Sequence, residues 1–280
     1  MDDKAVVIAG ANGQVGQALQ KVYPQALALD RKQLDITNQK AINEFNWDNV
    51  KAIINAAAWT DVDGAENPSN YGLVKAVNVD ATCYLATVAS QHDLTFVTFS
   101  SDYVFDGSQP IHNEDEPFSS LNVYGKTKAD GDRVATTTTK HYIIRTSWVI
   151  GDGRNFVSIM QDLAARDIKP SVVNDQIGRL TFTDTLAHGI KHLLETNAPY
   201  GTYNLTNEGQ PASWADIAKI VFEKSGKSPS DVQPVSTAEY FADKPNTAKR
   251  PLQSTLDLTK IEKTGFIPED WRDKLDKLLG

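Results

Sequence analysis

A chain of 280 residues with 40% hydrophobic composition holds enough apolar material for one large α/β domain, or for a core domain carrying a smaller lobe. Its net charge of -8 argues against a nucleic-acid surface, because phosphate backbones are held by clustered Lys and Arg. No apolar run approaches the roughly 20 residues needed to cross a bilayer, and the start Met1-Asp2-Asp3-Lys4 lacks the pattern of a secretory signal, so a soluble, cytoplasmic protein without membrane or nucleic-acid partners is expected.

The elements then follow in chain order. Lys4 to Ala9 reads as a short apolar strand, Gly13 to Tyr23 as a helix, and Ala26 to Leu29 as a second strand ending at Asp30. After the Asp35-Ile36-Thr37 turn come a short helix over Asn38 to Phe45, a third strand over Ala52 to Asn55, and a long Ala-, Val- and Leu-rich helix over Tyr71 to Ser90. The single cysteine, Cys83, sits in this last pattern; it excludes an internal disulfide and is expected to pack rather than to act as a nucleophile. Thr95 to Ser100 forms a fourth strand, Tyr124 to Ala135 a helix, and His141 to Thr146 a fifth strand. Such alternation calls for a doubly wound parallel sheet covered on both faces, with ligands beyond the carboxyl ends of its strands.

Beyond residue 147 the pattern loosens into helices near Phe156 to Arg166, Thr183 to Glu195, Trp214 to Lys224 and Trp271 to Leu279. Lys227 to Ser254, with four prolines, reads as an irregular lobe. The division expected is a dinucleotide-binding domain over 1–147 and a smaller substrate-binding lobe over 148–280, some segments of which return to the first domain. The five histidines carry no metal-ligand pattern; His188 and His192 are four apart, without the glutamate of a His-Glu-x-x-His signature.

Three groups of residues carry chemistry. Gly10, Ala11, Asn12, Gly13, Gln14, Val15 and Gly16 follow a strand and open a helix, the setting in which glycines let backbone approach a pyrophosphate and a helix N-terminus receive it. Asp30 lies twenty residues after Gly10, the spacing of a carboxylate that holds an adenosine ribose, while the adjacent Arg31 suits a 2'-phosphate. Small residues at Ala56, Ala57 and Ala58 let a ligand approach the third strand's end. Tyr124 and Lys128, four apart, share one helical face, where the ammonium can lower the phenol's pKa, and Ser101 at the end of the fourth strand can hydrogen-bond the carbonyl oxygen that Tyr124 protonates. No Gly-x-Ser-x-Gly elbow is present, so hydride transfer suits these residues better than hydrolysis.

Through GANGQVG, NAAA, Ser101 and Tyr124-x-x-x-Lys128 the chain resembles the extended short-chain dehydrogenase/reductase superfamily. Within it, NAAAWTDVDGAE, SSDYVFDG, LNVYGKTKADGD, RTSWV, NDQIG and KRPLQSTLD are similar to the dTDP-4-dehydrorhamnose reductase family. The resemblance implies a Rossmann-type domain that binds NADPH or NADH, a smaller lobe that binds a dTDP-sugar, and a homodimer as one arrangement of the subunits. It places Asp35, Ile36 and Phe99 beside Gly10 to Gly16, Asp30 and Ala56 to Ala58 on the cofactor. It also makes Ser101 and Asp102 sugar contacts, Tyr124 the general acid, Lys128 the group that holds the nicotinamide ribose and tunes Tyr124, and Trp148 a residue packed on the substrate. In the lobe, Lys249-Arg250 is the best local cation pair for a diphosphate, with Arg250 the residue chosen.

Two departures stand out. Arg179-Leu180-Thr181 replaces a Gly-x-Pro-Thr that many relatives carry, which could reshape a loop near the lobe, and Ala18 stands where metal-binding relatives have a glutamate, so no metal is expected. The activity implied is reduction of the 4-keto group of dTDP-4-dehydro-L-rhamnose. Another nucleotide-sugar reductase or epimerase is an alternative; a dehydratase would need Asp-Glu after the catalytic Ser, where this chain has Asp102-Tyr103. A non-catalytic subunit resembling the β-subunit of methionine adenosyltransferase is another, against which the intact Ser101, Tyr124 and Lys128 speak.

Overall fold

Short runs of β-branched and aliphatic residues build the centre of the molecule, a computed structural model that describes residues 1–244 and 247–280. Strands β1 (Val6–Ala9) and β3 (Ala52–Asn55) are buried at every position, as strands covered on both faces must be. With β2 (Leu27–Leu29), β4 (Thr95–Ser101), β5 (His141–Thr146) and β6 (Gly201–Asn204) they form one sheet in the order β6-β5-β4-β3-β1-β2. Every pairing is parallel, from Val7 opposite Leu27 to Tyr203 opposite Ile144.

Alternate side chains serve two cores. Val6 and Ile8 join Ile54, Val97 and Ile144 under α1 (Gln14–Val22) and α6 (Thr183–Thr196). Val7 joins Ile53, Phe96 and Ile143 under α2 (Gln39–Glu44) and α3 (Ala81–Gln91), with Ala135 at the end of α4 (Val123–Ala135). The order of strands reverses at β1 and β3, which opens a crevice above their carboxyl ends.

A third core lies in the second lobe, where Val157 and Met160 of α5 (Phe156–Ala165) meet Ile217 and Val221 of α7 (Trp214–Lys224) and Trp271 of α8 (Trp271–Leu279). Lys227 to Ser254 is less irregular than its composition suggests. Gln233–Val235 pairs in parallel with Ser171–Val173, and a short helix follows at Thr237–Phe241; Pro245 and Asn246 lie outside the described residues.

Three local features differ from the sequence reading. Strand β6 was absent from it: Gly-Thr-Tyr-Asn has no apolar run, and as an edge strand it needs only Tyr203 in the core. The helix expected over Tyr71 to Ser90 is interrupted by a π turn at Ala76–Asp80, between Tyr71–Lys75 and α3. There the buried Asn78 leaves the helical pattern's bland face: its Oδ1 accepts from the Trp59 N–H at 2.9 Å and its Nδ2 donates to the Thr127 hydroxyl at 3.1 Å. Cys83, finally, is exposed on α3 rather than packed, because Thr82, Leu85 and Ala86 take the buried face.

Candidate active site

The glycine loop is shaped by contacts that leave no room for a side chain. Gly10 has φ +84°, and a Cβ there would stand 2.6 Å from the Ala57 nitrogen, so β1 and β3 end in direct backbone contact. A Cβ on Gly16 would come within 2.2 Å of the Gly10 carbonyl, which holds α1 tightly against the turn that Gly13 caps.

Above these glycines lies a cleft of about 400 Å³. Gly10, Asn12, Gly13, Asp30, Arg31, Asp35, Ile36 and Ala56 to Ala58 line it, together with Leu34, Thr37, Trp59, Leu73 and Val77, which sequence reasoning missed. Leu73 and Val77 belong to the Ala-, Val- and Leu-rich stretch over Tyr71 to Ser90, whose composition carries no mark of a site. The other residues assigned to the cofactor stand behind the cleft wall. Ala11 is buried, Val15 and Phe99 pack on the sheet, Gly16 supports the turn, and the Gln14 amide donates to the Arg154 carbonyl at 3.1 Å.

Asp30 is held rigidly at the rim. Its Oδ1 accepts from the Lys32 and Gln33 N–H groups at 2.9 and 3.0 Å, and its Oδ2 from the Asn12 amide at 3.2 Å. The Gln33 N–H leads the influences that lower its pKa, so it is a carboxylate. Arg31 is 73% exposed and reaches Asp35 with its Nε at 3.4 Å, a loose surface pair that leaves the guanidinium free to turn.

Past the end of β4 the strand becomes a 3-10 turn at Asp102–Val104, which the Ser101 Oγ caps by accepting from the Tyr103 N–H at 3.1 Å. The same hydroxyl donates to Asp102 Oδ1 at 2.9 Å. Helix α4 starts at an Asn122 cap, whose Oδ1 accepts from the Gly125 N–H at 2.7 Å. Only glycine fits at 125, since a Cβ would meet the Tyr103 carbonyl at 2.1 Å; this close approach lets Tyr124 reach the strand end. Tyr124 packs edge-on against Tyr103 with ring centres 5.8 Å apart, and Lys128 donates to the Phe99 carbonyl at 2.6 Å.

The electrostatics differ from the simple tyrosine-lysine expectation. Burial pushes the Tyr124 phenol above its ordinary value; Asp102 and Asp132 add to the rise and the Ser101 hydroxyl opposes it. Burial likewise pushes Lys128 down to about 8, with Asp132 acting the other way. An ammonium turned toward a backbone carbonyl thus does not bring the Tyr124 phenol below its ordinary value, because desolvation outweighs it. Asp102, nearly inaccessible, is pushed up to about 6 by burial, which the neighbouring Ser254 and Ser101 hydroxyls oppose.

A second cleft, of about 350 Å³, opens against the lobe. Its walls come from Asp63, from Phe156 and Met160 on α5, from Trp214 on α7, and from Tyr240, Lys244 and Arg250. Trp214 stacks on Trp148 with ring centres 3.8 Å apart; Trp148, at φ +49°, lies over Gly178 and is the backing of the cleft rather than its lining. Arg250 donates to Asp63 Oδ2 and to the Ala248 carbonyl, each at 2.8 Å, and its guanidinium lies over Phe241. Lys249 contributes its carbonyl, which accepts from the Asn122 amide at 2.7 Å and so ties this segment to the cap of α4. Trp214, Tyr240 and Lys244 carried no spacing signal, because residues far apart in the chain meet here. Arg179 turns from both clefts toward the Leu256 carbonyl. Among the described residues no group of three or more His, Cys, Asp or Glu is arranged to hold a metal.

Residues 4–280 match the family described as RmlD substrate binding domain. The chain is 39% identical to the dTDP-4-dehydrorhamnose reductase of Aggregatibacter actinomycetemcomitans, with 98% of this chain and 97% of that protein covered. It is 35% identical to the spore coat polysaccharide biosynthesis protein SpsK of Bacillus subtilis, with 98% and 96% covered. Among solved structures, a dTDP-4-dehydrorhamnose reductase from Clostridium acetobutylicum superposes with a TM-score of 0.89 at 35% identity, over 97% of each chain. One from Bacillus anthracis in complex with NADP gives 0.88 at 33% identity, again over 97% of each. By these matches the chain belongs to the family of the RmlD substrate binding domain, that of the dTDP-4-dehydrorhamnose reductases.

Proposed function

We propose that this chain reduces the 4-keto group of dTDP-4-dehydro-L-rhamnose to dTDP-L-rhamnose with NADPH or NADH. The observation that carries the reading is the meeting of Ser101, Tyr124 and Lys128 at the end of β4, in a fold that also holds a glycine-floored cleft and an aromatic, cationic cleft, neither of which these three residues line. The NADP complex of the Bacillus anthracis relative supports the choice of cofactor.

The first cleft fits a dinucleotide. Gly10 and Gly16 keep its floor at backbone height, and the N-terminus of α1 offers N–H groups to a pyrophosphate. Asp30 presents a fixed carboxylate to a ribose, and Arg31 a mobile guanidinium to a 2'-phosphate. When bound, the reduced nicotinamide supplies the hydride.

Every other part of the reaction falls to side chains. Tyr124, whose phenol keeps its proton well past neutrality, is poised as a donor to an alkoxide. Ser101 holds the same oxygen, turning its hydroxyl from Asp102 to the substrate. Lys128 offsets the negative charge left on Tyr124, and the Asp63–Arg250 pair presents a guanidinium to the diphosphate. A homodimer in the cytoplasm belongs to the same reading; sizing of the purified protein and cell fractionation test it.

The decisive assay follows NADPH and NADH oxidation with enzymatically generated dTDP-4-dehydrorhamnose and identifies the sugar formed. Folded protein that oxidises neither cofactor overturns the proposal.

A further inference from the structure

Helix α4 carries a third polar group on the face of Tyr124 and Lys128. Asp132 is one turn beyond Lys128, as Lys128 is one turn beyond Tyr124. All three members of its charge network are removed from water: Asp132 is 2% exposed, Lys128 6% and Arg145 4%. Arg145 reaches across from β5, where it stands opposite Ser100, and its Nε donates to Asp132 Oδ2 at 3.0 Å. The guanidinium is itself fixed, donating to the Glu114 carbonyl at 2.9 Å and lying over the rings of Phe105 and Phe118.

A buried ammonium is costly without a compensating charge. Among the described residues Lys128 has one polar acceptor, the neutral Phe99 carbonyl, and burial weakens its hold on a proton. Asp132 is the charged group that opposes this loss. The carboxylate in turn meets its own desolvation, which Arg145 resists more strongly than any other neighbour. Charges therefore alternate along one face from β5 to the phenol.

Resting on the reductase reading above, we infer that Asp132, clamped by Arg145, is a positioning residue that keeps Lys128 in its ammonium form at the site. The titratable and charged groups that surround the row are Tyr124 on the same helix, Tyr103 packed edge-on against it, Asp102 past the end of β4, and Arg145 on β5. The π turn packed on α4 turns the uncharged Asn78 toward Thr127 while its Asp80 pairs with Lys75, and Glu114 points its carboxylate at the Asn204 N–H.

The test reads the lysine directly. In protein labelled at lysine side chains, the NMR signal that Lys128→Met removes is followed against pH in the wild type, in Asp132→Asn and in Asp132→Glu. Asp132→Asn should lower the Lys128 midpoint by about one pH unit, a tenfold loss of proton affinity, while Asp132→Glu restores it. Removing one partner of a buried pair is strongly destabilising, so Asp132→Asn combined with Arg145→Gln takes the pair out as a unit; because the opposing guanidinium leaves with the carboxylate, this variant should lower the midpoint less than Asp132→Asn alone. In turnover, the alkaline limb of kcat should move by the same interval, whereas a merely structural loss lowers the rate equally at every pH. A Lys128 midpoint unmoved in a folded variant overturns the inference. A midpoint that moves in protein inert toward the keto-sugar overturns the reductase reading instead.

Discussion

The two clefts are built by opposite means. The first has a floor of backbone and short side chains at adjacent strand ends, with Gly10 against Ala57 and Asp30 locked by its own turn, and larger side chains such as Arg31, Trp59 and Leu73 only in its walls. The second is made of long side chains brought from separate segments: Asp63 from the first half, Phe156 and Trp214 from two lobe helices, Arg250 from a loop. A backbone cleft tolerates little change in shape and suits a ligand that never varies. A side-chain cleft can be altered one residue at a time, and suits the partner by which related enzymes differ.

Substitutions can break this contrast or sharpen it. The largest effect belongs to Tyr124, which lines neither cleft. Tyr124→Phe keeps the ring and removes the proton, so kcat should fall by about 10² to 10⁴ while thermal stability and NADPH titration stay near wild type. A folded variant reducing the keto-sugar at the wild-type rate would remove Tyr124 as donor and point to Ser101 or Asp102.

Next comes Gly10→Ala, which forces a side chain onto φ +84° and into the Ala57 backbone. The strain and overpacking should cost about 1–3 kcal/mol of stability and weaken NADPH binding in calorimetry. Unchanged Tm and cofactor affinity would show that the floor of the first cleft is softer than its geometry. Arg250→Ala should raise the KM for the dTDP-sugar about tenfold, the scale of a charge-assisted hydrogen bond, with the KM for NADPH unaltered. An unchanged sugar KM would return Arg250 to a bond with Asp63 alone. The smallest effect is expected of Arg31→Ala, about threefold on NADPH and none on NADH, because the guanidinium is largely in water. Equal losses for both cofactors would deny it a 2'-phosphate.

The same contrast explains what could be read from the residues in order. The first cleft was legible because each part is local: three glycines in one turn, an acid at the end of the next strand, alanines at the third. Tyr124, Lys128 and Ser101 came with it, since a helix face and a strand end are set by short-range periodicity. The second cleft was not, apart from Arg250 and the backing Trp148. Phe156, Trp214 and Tyr240 are each ordinary aromatics until the lobe folds, and no spacing rule links them. The direction of the Tyr124 shift also lay out of reach, because it depends on how much water α4 and β4 exclude rather than on which residues flank the phenol.

Strand β6 has a consequence for how the chain acquires its shape. The sheet's outer position beside β5 stays empty until Gly201–Asn204 arrives, and Tyr142 waits for a cover that comes from Leu193, Ala198 and Tyr203. On the ribosome, the first five strands can gather before the sixth exists, yet they do so with an open edge able to pair with a neighbour. Closure of that edge draws the segment before it, α6, onto the sheet and leaves the lobe tethered at both ends. Folding should thus be slow in its final phase and cooperative in reverse, so that heat or urea undoes all three cores in one transition rather than releasing the lobe first.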